Sequence, residues 1–179
     1  IQYPYNGQLY YGSGHRCTGG DYGANGFNIT SGHTLLGFAL MSRCGVEVDD
    51  DRVSKSLARL KLCTSKGNIG YASTHDEAFT DPYFYRYDGS SQGAASRGGV
   101  SCIAARLLGD NDYADSLLRG IRHELGEKSS RYGDFFNTHA CPYMGMFWGG
   151  LALSGGDEGA LSVALRQHIW KLQVSRVPG

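Results

Sequence analysis

Apolar residues recur along this chain at helical rather than strand spacing. Leu35, Phe38, Ala39 and Met41 mark one stretch that opens near Ser31 and stops at Cys44-Gly45, and Val53, Leu57 and Leu60 follow at i, i+4 and i+7. Val100, Ile103, Ala104, Leu107 and Leu108 form a second stripe, with Ala114, Leu117, Leu118, Ile121 and Leu125 as its partner. Met144, Phe147, Trp148 and Leu151 then precede Leu161, Leu165, His168, Ile169 and Leu172. Helix stops and caps divide each pair: Cys44-Gly45 before Asp49 to Asp51, then Gly109-Asp110-Asn111-Asp112, then Gly155-Gly156-Asp157. The pattern predicts one all-α domain over 1–179, built as three helical hairpins over 31–64, 94–126 and 140–174. An irregular Gly/Tyr-rich arm over 1–30 precedes them.

The two members of each pair differ in kind. The first is rich in glycine (Gly32 and Gly37; Gly98 and Gly99; Gly145, Gly149 and Gly150), and the second is read as longer and more charged. That asymmetry predicts crowded inner helices and an outer layer facing water, an α/α-toroid-like arc. The connections between pairs, over 65–93 and 127–139, are long. They are expected on one face, beside the N-termini of the inner helices, where helix dipoles favour anions. Three hairpins make an open arc, so the chain is expected to belong to a larger protein or to assemble as a homo-oligomer.

Composition narrows the classes. A chain of 179 residues supports a core of ordinary size. Net charge is +0 and the 17 Lys and Arg are scattered, which argues against nucleic acid. The apolar run from Met144 to Leu153 falls short of the roughly 18 residues of a membrane span. Glycine, at 27 residues, is about twice the average share. The chain opens at Ile1 without Met, as expected of a processed chain or fragment. Cys17, Cys44, Cys63, Cys102 and Cys141 show no C-x-x-C and no zinc spacing, so buried thiols are expected where the surroundings are apolar and helical. Asn28-Ile29-Thr30 fits the N-glycosylation pattern.

Chemistry concentrates between Tyr132 and Gly150. Asn137, His139 and Tyr143 stand just before the third inner helix, with Arg97 entering from the neighbouring hairpin. Toroidal polysaccharide lyases resemble this in using an amide or Arg to neutralise a uronate carboxylate and a His or Tyr to take the proton beside it, chemistry that needs a base of near-neutral pKa and a cation. The alternative is that Asn137 caps the helix, His139 bonds to backbone and Tyr143 packs. Asp134 orients His139 or caps the turn. Phe135, Phe136, Met144, Phe147 and Trp148 are assigned to the core. In the loop 79–88, Tyr83, Tyr85, Arg86 and Tyr87 suit sugar contact, a subunit interface or simple packing. His33 and Asp134 complete the expected substrate-binding set. His15, Cys17, His33, His75, Asp76, Glu77 and His139 could converge but lack metal-ligand spacing, so no metal and no cofactor is expected. His123 and His168 are read as structural or solvated.

From Gly67 to Gly179 the order of elements resembles a family of bacterial secreted proteins of unknown function with a C-terminal α/α-toroid domain. The likeness is carried by Gly67-Asn68-Ile69-Gly70-Tyr71, Arg97-Gly98-Gly99, Leu107-Leu108-Gly109-Asp110, Gly133-Asp134-Phe135-Phe136, and Trp148 with the glycines after it. It implies the toroid fold and a secreted or extracytoplasmic location, and no reaction. The hairpin pattern is also similar to polysaccharide lyases, glycoside hydrolases, terpene cyclases and prenyltransferases, which share little chemistry. The leading expectation is an extracytoplasmic toroid domain that binds or cleaves an acidic polysaccharide, using a His/Tyr base if it is a lyase. The rival is a non-catalytic assembly protein that self-associates through its Tyr-rich arm and loops. A prenyl- or terpene-handling toroid is disfavoured because no D-x-D-D or D-D-x-x-D is present.

Overall fold

The computed structural model describes residues 2–5, 8–11, 26–69, 72–73, 94–127 and 142–174. Among these, six helices hold most of the described residues: α1 Asn28–Arg43, α2 Asp50–Leu62, α3 Gly99–Leu107, α4 Asn111–Arg122, α5 Pro142–Ser154 and α6 Glu158–Val174. The protein is all-α in class. Six short strands accompany the helices: β1 Gln2–Tyr5, β2 Gln8–Tyr11, β3 Gly26–Phe27, β4 Thr64–Ser65, β5 Asn68–Ile69 and β6 Ala72–Ser73. They pair antiparallel as β1 with β2, β3 with β6 and β4 with β5.

Part of the 1–30 arm is therefore ordered. Tyr3 pairs with Tyr10 and Tyr5 with Gln8, consistent with the strand preference of tyrosine. Helix α1 starts at Asn28, ahead of Ser31, straight after β3.

The helices pack in sequence-adjacent pairs: α1 with α2, α3 with α4, α5 with α6. Capping is the same in each pair. Asp49, Asp110 and Asp157 precede the second helices, and their carboxylates accept from the backbone N–H of Arg52 (3.1 Å), Tyr113 (3.3 Å) and Ala160 (2.9 Å). Each such cap contributes about 1 kcal/mol. Two of them also tie one pair to the next: Lys61, near the end of α2, reaches Asp110 at 2.5 Å, and Arg122, at the end of α4, reaches Asp157 at 2.5 Å.

Helix α3 lies between α1 and α5 and is the most enclosed of the six. The core around it includes Leu35, Leu60, Ile69, Val100, Leu117, Ile121, Leu125 and Leu153, each 2 % exposed or less. The predicted stripe of α1 is partly displaced. Leu35 and Ala39 are buried, whereas Met41 is 42 % exposed and Leu36 takes its place inside. The expected length asymmetry also fails in the first pair, where α1 has 16 residues and α2 has 13.

Wider, π-type turns flank the middle pair, Ala94–Gly98 before α3 and His123–Glu127 after α4. They are joined directly, since the Ala95 backbone N–H donates to the buried Glu124 carboxylate. That contact satisfies a backbone donor at a helix start and gives the carboxylate a partner inside the core.

Candidate functional site

Close approaches at glycine fix the direction of the first helices. A Cβ on Gly32 would lie 2.6 Å from Ser101 Oγ, and at the other end of α1 the Arg43 guanidinium donates to the Leu107 carbonyl at 3.1 Å. A Cβ on Gly99 would lie 2.5 Å from the Trp148 carbonyl carbon, while Gly155 meets Arg106 farther along. Early residues meet early residues and late meet late, so α1, α3 and α5 run parallel with their N-termini at one end.

That end is electrostatically distinct. The first turns of α2, α4 and α6 carry Asp50 and Asp51, Asp112, and Glu158 respectively, which offset the positive end of the helix dipole. Those of α1, α3 and α5 carry no acid. The starts of α1 and α5 thus keep their partial positive charge, whereas the turn leading into α3 already meets the Glu124 carboxylate at the Ala95 N–H.

In this half of the molecule His33 of α1 and Trp148 of α5 meet edge to face, with ring centroids 5.0 Å apart at 85°. Because α1 and α5 flank α3, the pair spans one face of α3. His33 Nδ1 lies 2.8 Å from the Ile29 carbonyl. A carbonyl accepts but cannot donate, so in the neutral ring Nδ1 carries the proton and Nε2 presents its lone pair. Trp148 contributes the opposite function. Its Nε1–H is enclosed without an acceptor among the described residues, and Phe147 packs against its ring at 4.9 Å. An acceptor, a donor and aromatic faces therefore stand together, a combination that suits hydroxyl groups on a ring. Below His33 on the same side of α1 come Gly37 and Leu40; a Cβ on Gly37 would meet nothing within 4 Å, and Leu40 is 50 % exposed.

Compared with protein families, curated proteins and solved structures, the chain matches none. The chemistry of the site rests on its own residues.

Of the residues singled out in the sequence, His33 lies in this cluster. Tyr143 is the second residue of α5, at the end where α1, α3 and α5 begin. Arg97 sits in the π turn before α3, is 8 % exposed, and donates from Nε to the Ile69 carbonyl at 2.9 Å. It ties β5 to the start of α3. Asn137, His139, Asp134, Tyr83, Tyr85, Arg86 and Tyr87 lie outside the described residues, as do His15, Cys17, His75, Asp76 and Glu77. Among the described residues no three His, Cys, Asp or Glu side chains gather as a metal site, and no helix is long and apolar enough to cross a membrane.

One assignment to the core changes: Phe147 is 55 % exposed, whereas Trp148 is partly buried and packs against the core. The small residues are the guide: Gly145, Gly149 and Ala152 form the buried side of α5, and Phe147 stands opposite them at 100° per residue. Asn28, the acceptor of the glycosylation pattern, is fully buried at the start of α1 and closed to a glycan. Cys63 and Cys102 are buried, Cys44 is exposed, and none of the three is in a disulfide.

Proposed function

We propose that this chain is an extracytoplasmic, α/α-toroid-like domain that binds an acidic polysaccharide at the N-terminal end of its inner helices. The observation that carries the reading is the His33–Trp148 pair, which sets a ring-nitrogen acceptor and an indole donor between aromatic faces. The acid-free first turns of α1 and α5 supply a preference for anionic over neutral sugars. Where cleavage accompanies binding, His139 and Tyr143 provide the lyase base and Asn137 the carboxylate contact. Arg97 contributes its charge from beneath the surface. Tyr83, Tyr85, Arg86, Tyr87 and Asp134 extend the sugar contacts along the chain.

The test is a binding panel of uronate and neutral polysaccharides read by tryptophan fluorescence, with ultraviolet absorbance of unsaturated products measured in parallel. Uronate polymers are expected to bind and neutral ones to bind more weakly. His33→Ala is expected to weaken binding about tenfold, roughly 1.4 kcal/mol. Equal affinity for neutral and acidic polymers, or a His33→Ala variant that binds as the parent does, overturns the proposal. His139→Ala separates the two activities: it should abolish product release and leave binding in place.

A further inference from the structure

The two ends of the helix series are built differently. At the first, β2 lies against both α1 and α2 and covers the outside of the first pair. At the last, α5 has no charged residue in 13 positions and is apolar on all sides, the pattern of a helix enclosed all round. Yet Phe147 is 55 % and Leu151 45 % exposed.

The side on which they stand follows from the packing of α6. Ala164 and His168 face the middle pair, where the His168 ring nitrogen Nε2 meets the Leu125 carbonyl at 3.1 Å, and Leu161 faces Gly150 of α5. Continuing round the helix in the same direction brings Leu165 and Ile169, 44 % and 48 % exposed, to the flank beyond. Phe147 and Leu151 of α5, with Leu165 and Ile169 of α6, thus form the outer end of the series.

A fourth hairpin of the same kind does not fit that end. Each earlier pair reaches its successor through a cation at the twelfth position of the second helix, Lys61 in α2 and Arg122 in α4, set against the next capping aspartate. The twelfth position of α6 is Ile169. At the opposite end Asp49 is already engaged by its own Arg52, at 3.7 Å. Head-to-tail stacking of copies therefore lacks both partners of the contact that joins one pair to the next.

We propose that the α5/α6 end is the interface of a two-fold homodimer, in which it meets the same surface of a second copy. A surface without charge on α5 is compatible with its own image, as a two-fold contact requires. The four side chains expose on the order of 350 Å² of apolar surface, within the range of patches that mark interaction sites. A standard interface covers about 800 Å² per partner, a little over half of it apolar, so this patch supplies most of the apolar share.

Light scattering on the 179-residue chain tests the proposal. The expected mass is twice 19.4 kDa, and Leu151→Asp and Ile169→Asp should each return it to 19.4 kDa with an unchanged circular dichroism spectrum. Ser154→Cys, on the same exposed side of α5, should form a same-site disulfide between copies under oxidation in an otherwise intact protein. A parent chain that stays at 19.4 kDa at high concentration, an open series of larger species, or a dimer that survives both Asp substitutions overturns it.

Discussion

His33 shows how much a single contact decides. Its type and position made it a candidate in the sequence, but the bond from Nδ1 to the Ile29 carbonyl fixes which nitrogen carries the proton in the neutral ring. Tyr113 and Cys102 show the reverse, chemistry withdrawn by burial. Burial pushes the Cys102 thiol up to about 11 and the Tyr113 phenol above its ordinary value of 10.0. Thr64 donates to the Leu60 carbonyl at 2.7 Å, so Tyr113 must donate to Thr64 at 2.8 Å, and the bond holds the phenolic proton in place. Unfolding lowers both values, so the unfolded chain releases these protons first. The stability they contribute is full below about pH 9 and is lost as pH rises through and beyond 11. Urea denaturation should show a midpoint that falls from neutral to alkaline pH, with a shallower fall in Tyr113→Phe. In the native chain alkylation should label Cys44 quickly and spare Cys63 and Cys102 until denaturant is added.

At the scale of elements, the helices were legible in the sequence because their apolar period, stops and acidic caps agree. Asp49, Asp110 and Asp157 stand as N-caps where helix-start chemistry places them. What was not legible depends on contacts between distant segments. The turn between β4 and β5 docks on α4 through backbone alone: a Cβ on Gly67, whose φ is +80°, would lie 2.5 Å from the Ser116 carbonyl oxygen, and one on Gly120 would strike the Gly67 carbonyl. Neither glycine belongs to a helical stripe, so no periodicity marks them as a pair. Gly67→Ala is expected to cost about 3 kcal/mol in chemical denaturation, from overpacking added to backbone strain. Gly37→Ala, in an open stretch of helix, should instead raise stability by about 0.5 to 1 kcal/mol. A similar loss at both positions would show that close approach does not set the cost.

For the whole molecule, the parallel run of α1, α3 and α5 places three helix starts at one end, and that end carries the functional reading. The sequence showed the asymmetry within pairs but misassigned Phe147, since a hydropathy pattern cannot tell an enclosed aromatic from an exposed one. Arg97 is 8 % exposed and its Nε–H donates to the Ile69 carbonyl, a tertiary contact that spacing does not reveal. Trp148 offers the most direct test of the site. The chain has 2 tryptophans, so a proton–nitrogen correlation spectrum shows two indole signals, which Trp148→Phe assigns. On addition of a uronate oligosaccharide the Trp148 indole signal should shift in a saturable manner, and a neutral oligosaccharide should move it far less. A Trp148 signal that stays fixed while the uronate binds elsewhere, or that responds equally to the neutral sugar, would contradict the account.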